Sequence, residues 1–309
     1  MINSQLAVRF ASLPGNLKGA VYLSVAAIGF TVMVTLIKLA GERLHVSQIL
    51  LIRQVVMTAI VAPGILAHFP GSLKTTQPYV HLLRVVFALL AMLCGFYAII
   101  EMPLADATAI GFAKSFFVTI LAIFVLNETV GVRRWVAVAI GFVGVLIMVK
   151  PGTSAFDPIS IYALVGSAAA GLVMVLLRKL SRTDSATTIL TYQAVFVGVA
   201  MIGPGLWFWV QPTLFEWGLL VAIGLISYGA QMLNIYAYKF GEASFLASLD
   251  YIRLIYATIL GYWIFSTLPD TATWIGAGII VAASIYTVQR ERVRKQALAR
   301  SPEGSGYSH

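Results

Sequence analysis

Two cationic residues lie where a cation is costly. Lys114 falls about ten residues into an apolar run at 104–126, and Arg253 about ten residues into another at 243–265. At 1.5 Å per helical residue each side chain would start ~15 Å deep, near the middle of a hydrocarbon layer ~30 Å thick. A Lys or Arg at that depth costs roughly 2.5–3.5 kcal/mol, so such residues face a wet cavity or a partner. Asp250 precedes Arg253 by three residues, which puts the two on one helical face, where they can neutralise each other. Lys114 is then the uncompensated charge, suited to a solute with a carboxylate, a phosphate or several acceptor oxygens. A carboxyl drawn out of water can also load and unload a proton, which makes Asp250 the expected site if movement is proton-coupled.

Further candidates surround this pair. Arg53 lies about seven residues from one face of its run and reads either as a cavity contact or as a lock between helices. Arg84, about five residues from the opposite face, is expected to snorkel to the headgroups. Phe112, Phe116, Tyr97, Tyr236 and Tyr251 could stack on a planar solute, or simply pack.

The elements that must hold these residues follow from composition. The 309 residues are 60% hydrophobic and only 11% charged, with mean hydropathy +0.90. A water-exposed surface needs about 25% charged residues, so a soluble fold is excluded. Apolar runs at 19–40, 46–69, 79–100, 104–126 and 135–149, then 159–177, 186–210, 214–238, 243–265 and 271–288, predict an all-α membrane protein of ten transmembrane helices. Residues 1–18 lack the compact apolar core of a signal peptide, so the first run is kept as a helix. Of the 21 Lys and Arg, fourteen fall on the side that carries both termini, three on the other, and four within spans. Lys and Arg accumulate on the cytoplasmic side, so segments 1–17 and 290–309 are expected in the cytoplasm. The formal net charge of +9 is distributed as an orientation signal, which excludes a nucleic-acid partner. The lone Cys94 permits no intrachain disulfide, and the four His have no ligand spacing, so no metal or other cofactor is expected.

An internal repeat ties these elements together. A shift of 139 residues lays Phe96–Phe117 over Ile235–Tyr256, and pairs Gln54 with Gln193, Tyr97 with Tyr236, Lys114 with Arg253 and Trp135 with Trp274. The same shift superposes the span boundaries. Five spans per copy is odd, so the second copy must enter from the opposite face. The prediction is therefore two inverted five-helix repeats, 18–150 and 159–289, an arrangement typical of secondary transporters with a midplane site. Pro63, and Gly203, Pro204 and Gly205, fall at matching points of the second and seventh spans, where a missing backbone hydrogen bond permits bending. Gly141 and Gly144, with Gly276 and Gly278, give the fifth and tenth spans small faces for close packing.

The stretch from Ala107 to Gly152, with FAKSFF and the LNE turn at Leu126–Glu128, resembles the end of a first EamA domain of the drug/metabolite transporter superfamily. Ala247–Asp270 is similar to the matching part of a second one, and the likeness extends over residues 18–290. It implies a ten-helix carrier of metabolites or other small organic solutes. Thr75–Arg84, together with LNE and the late LPD, is similar to members described as riboflavin and S-adenosylmethionine transporters. Thr267 stands where the repeat would place the counterpart of Glu128, a departure from the family pattern. An intramembrane enzyme would need a deep Ser and His, paired acids or metal ligands, which the spans lack. The expectation is a non-enzymatic inner-membrane transporter of a small molecule, with riboflavin uptake favoured because a planar, oxygen-rich solute suits basic and aromatic groups. S-adenosylmethionine and amino-acid-like metabolites are the alternatives.

Overall fold

The computed structural model describes residues 14–67, 74–114, 116–118, 120–121, 132–180, 183–240 and 251–300. Among these there is no strand, and ten helices account for most of the chain. They are α1 (Gly15–Gly41), α2 (Val46–Ala67), α3 (Pro78–Glu101), α4 (Leu104–Gly111), α5 (Val132–Val149), α6 (Ile159–Leu180), α7 (Ala186–Trp207), α8 (Leu214–Phe240), α9 (Ile252–Phe265) and α10 (Thr271–Arg300). Six of them, α1, α2, α3, α6, α7 and α8, are long and apolar enough to cross a membrane; α5, α9 and α10 contain shorter apolar stretches. The described contacts between helix ends gather at two ends of the bundle, with Arg43 after α1 on Glu216 of α8 and Lys150 after α5 on Asp270 before α10 at one, and His81 of α3 on Asp184 after α6 at the other. The described chain starts and finishes at one of these, here called the terminal end. The turns after α1, α3, α5, α7 and α9 lie at the far end.

Local signals set the helix starts. Pro78 and Pro103 open α3 and precede α4, where a missing N–H costs nothing. The Ser185 hydroxyl accepts the Thr188 N–H at 3.1 Å to cap α7, and the Asp270 carboxylate accepts the Thr273 N–H at 2.7 Å to cap α10. Ser266 ends α9 in the left-handed conformation, φ 54°.

The outer faces are apolar. Leu17, Val21, Val25 and Ile28 make an exposed stripe along α1, and Trp135, Val136, Ile140 and Val143 another on α5. Such surface suits lipid as solvent and water badly. Five of the six Trp, at 207, 209, 217, 263 and 274, belong to the far end.

Packing runs between the two halves of the chain. α1 lies against α8, α3 against α6, α5 against α10 and α2 against α7, each with extensive contact. One apolar core gathers Phe112, Phe116, Val145, Met148, Ala277 and Ile280 from α4, α5 and α10, with the extension of α4 beyond Gly111 included. A second gathers Ile37, Leu50, Phe96, Leu220 and Ile223 from α1, α2, α3 and α8. Small residues set the closest crossings. A Cβ on Gly166 would come within 2.9 Å of the Gly95 backbone nitrogen, and one on Gly205 within 2.8 Å of Leu51 Cδ2. A Cβ on Gly141 would overlap the Phe116 ring, and one on Gly276 would lie 2.5 Å from the Gly144 carbonyl oxygen.

The α5–α10 contact can therefore be tested directly. Gly276→Ala should cost about 1–3 kcal/mol, because the methyl group meets rigid backbone, and should lower the unfolding temperature in detergent. Gly278→Ala, where a Cβ meets nothing within 4 Å, should leave that temperature unchanged.

Candidate functional site

A cavity of about 270 Å³ lies between α1, α3, α4, α6 and α9. It is walled by Phe30 and Val34 of α1, Gly95 and Ile99 of α3, Thr108 and Phe112 at α4, and Ser167 and Ala170 of α6. Lys114 and Arg253 both reach it. Its described lining contains two cations and no acid.

The backbone of α4 explains how Lys114 comes to face this space. The regular helix stops at Gly111; Phe112 and Ala113 form a turn with i→i+3 bonds to Ala109 and Ile110, and helical residues resume at Lys114. No Pro causes the break. Gly111 lies at it with open space where a Cβ would go. The Ser167 hydroxyl lies 3.0 Å from the Ile110 carbonyl, giving that backbone oxygen a second contact within the break. Irregular backbone at such depth is tolerated where it lines a cavity.

Aromatic rings flank both cations. The Arg253 guanidinium carbon lies 4.4 Å from the Phe30 ring centroid, and Lys114 Nζ lies 5.8 Å from that of Phe112. Tyr251 backs Phe112 at 4.8 Å between ring centroids. These faces offset part of the cost of the buried charges. Above the cavity at the far end, Lys38 Nζ donates to the carbonyls of Ile99 at 3.1 Å, Ile100 at 2.8 Å and Met102 at 2.6 Å, and stands 5.5 Å over the Phe265 ring. Lys38 thus ties α1 to the carbonyl end of α3, a favourable place for a cation.

Of the residues singled out from sequence, the structure brings Lys114, Arg253 and Phe112 to one cavity, with Tyr251 packed behind. Asp250 lies outside the described residues, as does Glu128. Tyr97 instead meets Tyr162 edge-on at 5.0 Å, and Tyr236 is half-exposed beside Tyr22; neither lines the cavity. Arg53 is buried behind the cavity wall, over the Phe96 ring at 5.8 Å, where Nε donates to Ser227 Oγ and Nη1 to Gln54 Oε1, both at 2.8 Å. Arg84 does not snorkel: it is only 4% exposed, and Nη2 donates to Gln193 Oε1 at 2.7 Å. Because α7 packs on α3 at that level, inward hydrogen bonds replace the headgroup contact.

Gln54 Nε2 also donates to the Gln193 carbonyl at 3.2 Å. One polar chain therefore runs from Ser227 through Arg53, Gln54 and Gln193 to Arg84, crossing α8, α2, α7 and α3. Sequence reading missed a second polar knot at the terminal end. His81 Nε2 lies 2.7 Å from Asp184 Oδ2, Thr75 Oγ1 donates to the same oxygen at 2.5 Å, and the His81 ring stacks on Tyr192 at 4.2 Å. Burial alone would raise the Asp184 carboxyl, but the donors Thr75, His81 and Thr183 outweigh it and hold that group below the ordinary carboxylate range. At the far end, Arg43 pairs with Glu216, with Nε 2.6 Å from Oε1. The signal for both knots was a polar residue at a span boundary, which sequence alone assigns to solvent.

The EamA-like transporter family model matches the chain twice, at residues 17–150 and 158–289. The chain belongs to the EamA-like transporter family. Family members with wide coverage include an S-adenosylmethionine uptake transporter of Rickettsia prowazekii, 27% identical over 91% of this chain and 96% of that one. A pseudopaline exporter of Pseudomonas aeruginosa is 32% identical over 87% and 95%. A riboflavin transporter of Vibrio cholerae is 26% identical over 89% and 94%. The EamA-like chain is thus a multi-pass membrane transporter of small metabolites and not an enzyme.

Two outcomes follow for the buried polar groups. Arg84→Ala leaves Gln193 Oε1 without its donor and should cost about 1–3 kcal/mol, read as a lower unfolding temperature in detergent. The Asp184 contribution should be complete above the ordinary carboxylate value and fade as pH falls through the lower folded value. An Asp184→Asn protein should accordingly lose less stability on acidification than the parent in the same melting assay.

Proposed function

We propose that this chain is a secondary transporter of the cytoplasmic membrane in which two inverted five-helix repeats, 18–150 and 159–289, give alternating access to the cavity holding Lys114 and Arg253. The observation that carries the reading is that residues 139 apart, one from each half, put a cation on the same cavity wall. Helix packing supports it. A swap of halves turns the α1–α8 contact into α6–α3, and turns α2–α7 and α5–α10 into themselves, and all four contacts are extensive. The Gln54–Gln193 bond joins a pair 139 residues apart. Fourteen Lys and Arg on the terminal side against three on the far side support cytoplasmic ends.

In this reading Lys114 and Arg253 receive the carboxylate or acceptor oxygens of a solute, and Phe30 and Phe112 receive its planar part. Solutes combining an amino-acid carboxylate with a planar base suit that pairing, and S-adenosylmethionine is the first to try, in line with the Rickettsia relative. Its sulfonium charge weighs against it. Riboflavin, an uncharged ring system with a polyol chain, is the second, supported by the same aromatic faces and by the Vibrio relative. Asp250, on the segment leading to Tyr251, is kept as a partner for Arg253.

Purified protein in sealed vesicles, supplied separately with labelled S-adenosylmethionine and labelled riboflavin, tests this. One of them should accumulate unaltered. Lys114→Ala should reduce that accumulation by roughly tenfold or more, equivalent to about 1.4 kcal/mol, with the unfolding temperature retained. Normal kinetics from a well-folded Lys114→Ala protein would remove the cavity as the solute site.

A further inference from the structure

Asp106 stands in the first turn of α4, two residues before Thr108 on the cavity wall, yet it belongs to the opposite face of the helix. There it meets the end of α5 and the start of α10. Thr273, a residue only 4% exposed, lies beside its carboxyl group. One carboxyl oxygen, Oδ1, is buried with no hydrogen-bond partner among the described residues. An ionised carboxylate with an oxygen buried and undonated is costly, and a neutral carboxyl at that place far less so.

The surrounding charges point the same way. Lys150, at the end of α5, could have neutralised Asp106, but its ammonium is committed to Asp270, which also caps α10. Lys150 holds φ at 49°, a left-handed conformation that a non-glycine residue adopts at a cost. Two carboxyls therefore act against one ammonium, and one added proton takes the group from a net negative charge to none. From the remaining neighbours, Lys38 is bonded to the carbonyls just before α4, and Glu101 ends α3 in exposed position. Lys114 and Arg253 serve the cavity face. The Lys150 and Asp270 side chains are 30% and 48% exposed, so water at the far end reaches the cluster.

Resting on the transport reading above, we propose that Asp106 is the coupling-proton site of this carrier. It takes a proton from far-end water onto Oδ1 and must release it on the opposite side for the solute to complete its passage; no other bond is made or broken. The link to the solute is α4 itself. Lys114 follows eight residues on, just past the end of α4, and the break at Phe112–Ala113 gives the segment a place to tilt when the charge at its head changes.

The experiment has a readout free of solute. Infrared difference spectra of the reconstituted protein, acid against alkaline buffer, should show a protonated carboxyl stretch that Asp106→Asn removes. A band unchanged in that variant overturns the proposal. In vesicles, a pH gradient should stimulate accumulation of labelled S-adenosylmethionine or riboflavin by the parent, while Asp106→Asn keeps solute exchange and loses the stimulation. Stimulation that survives in Asp106→Asn, or is abolished only by Asp250→Asn, also overturns it. Should neither solute move in the parent, the transport reading fails for those probes while the infrared result still decides the proton site. If Asp106→Asn does not insert, Asp106→Glu must shift the pH at which the band appears, and an unshifted band counts against the assignment.

Discussion

A polar group that leaves water inside a bilayer has to find its partner among neighbouring helices, and the organisation of this molecule follows from that requirement. Outward faces are apolar along their length, so the cations within the spans, Arg53, Arg84, Lys114 and Arg253, turn to carbonyls, amides, rings or a cavity. Arg53 and Arg84 illustrate one solution, in which each guanidinium is held by a glutamine together with other groups of neighbouring helices. Lys114 and Arg253 illustrate another, in which aromatic faces support cations that border an open space. The first pair is held within helix packing, and the second borders the cavity.

The same requirement explains the small residues. Close approach of α5 to α10, through Gly144 and Gly276, and of α3 to α6, through Gly95 and Gly166, brings backbones near enough for dispersion contacts to replace the missing hydrophobic drive between helices in lipid. The α3–α6 crossing borders the cavity, whose lining includes both Gly95 and Gly166.

Much of the fold was legible because its signals are long. Apolar runs of about twenty residues mark helices whatever their neighbours, and the positions of Lys114 and Arg253 within such runs made them conspicuous. The small faces of α5 and α10 were likewise readable as spacing. What sequence could not supply was direction around the helix axis. Tyr97 and Tyr236 shared a repeat position yet turned to other rings, and Arg84 sat near enough to an interface for snorkelling to look sufficient. Asp106 was overlooked because a residue three places into a span resembles a boundary residue, whereas the packing of α10 over the head of α4 encloses it. The break at Phe112 had no proline to announce it.

The tryptophans at the far end have a consequence for how the protein sits in different membranes. Indole rings settle at the boundary between headgroups and acyl chains, and Trp207, Trp263 and Trp274 project from the far end with large exposed surfaces. With only Trp135 opposite, the molecule is moored by one rim. A thicker or thinner bilayer is then accommodated at the unmoored rim, by tilt or by local adjustment of lipid. The depth of the cavity beneath the moored surface stays nearly constant from one membrane to another.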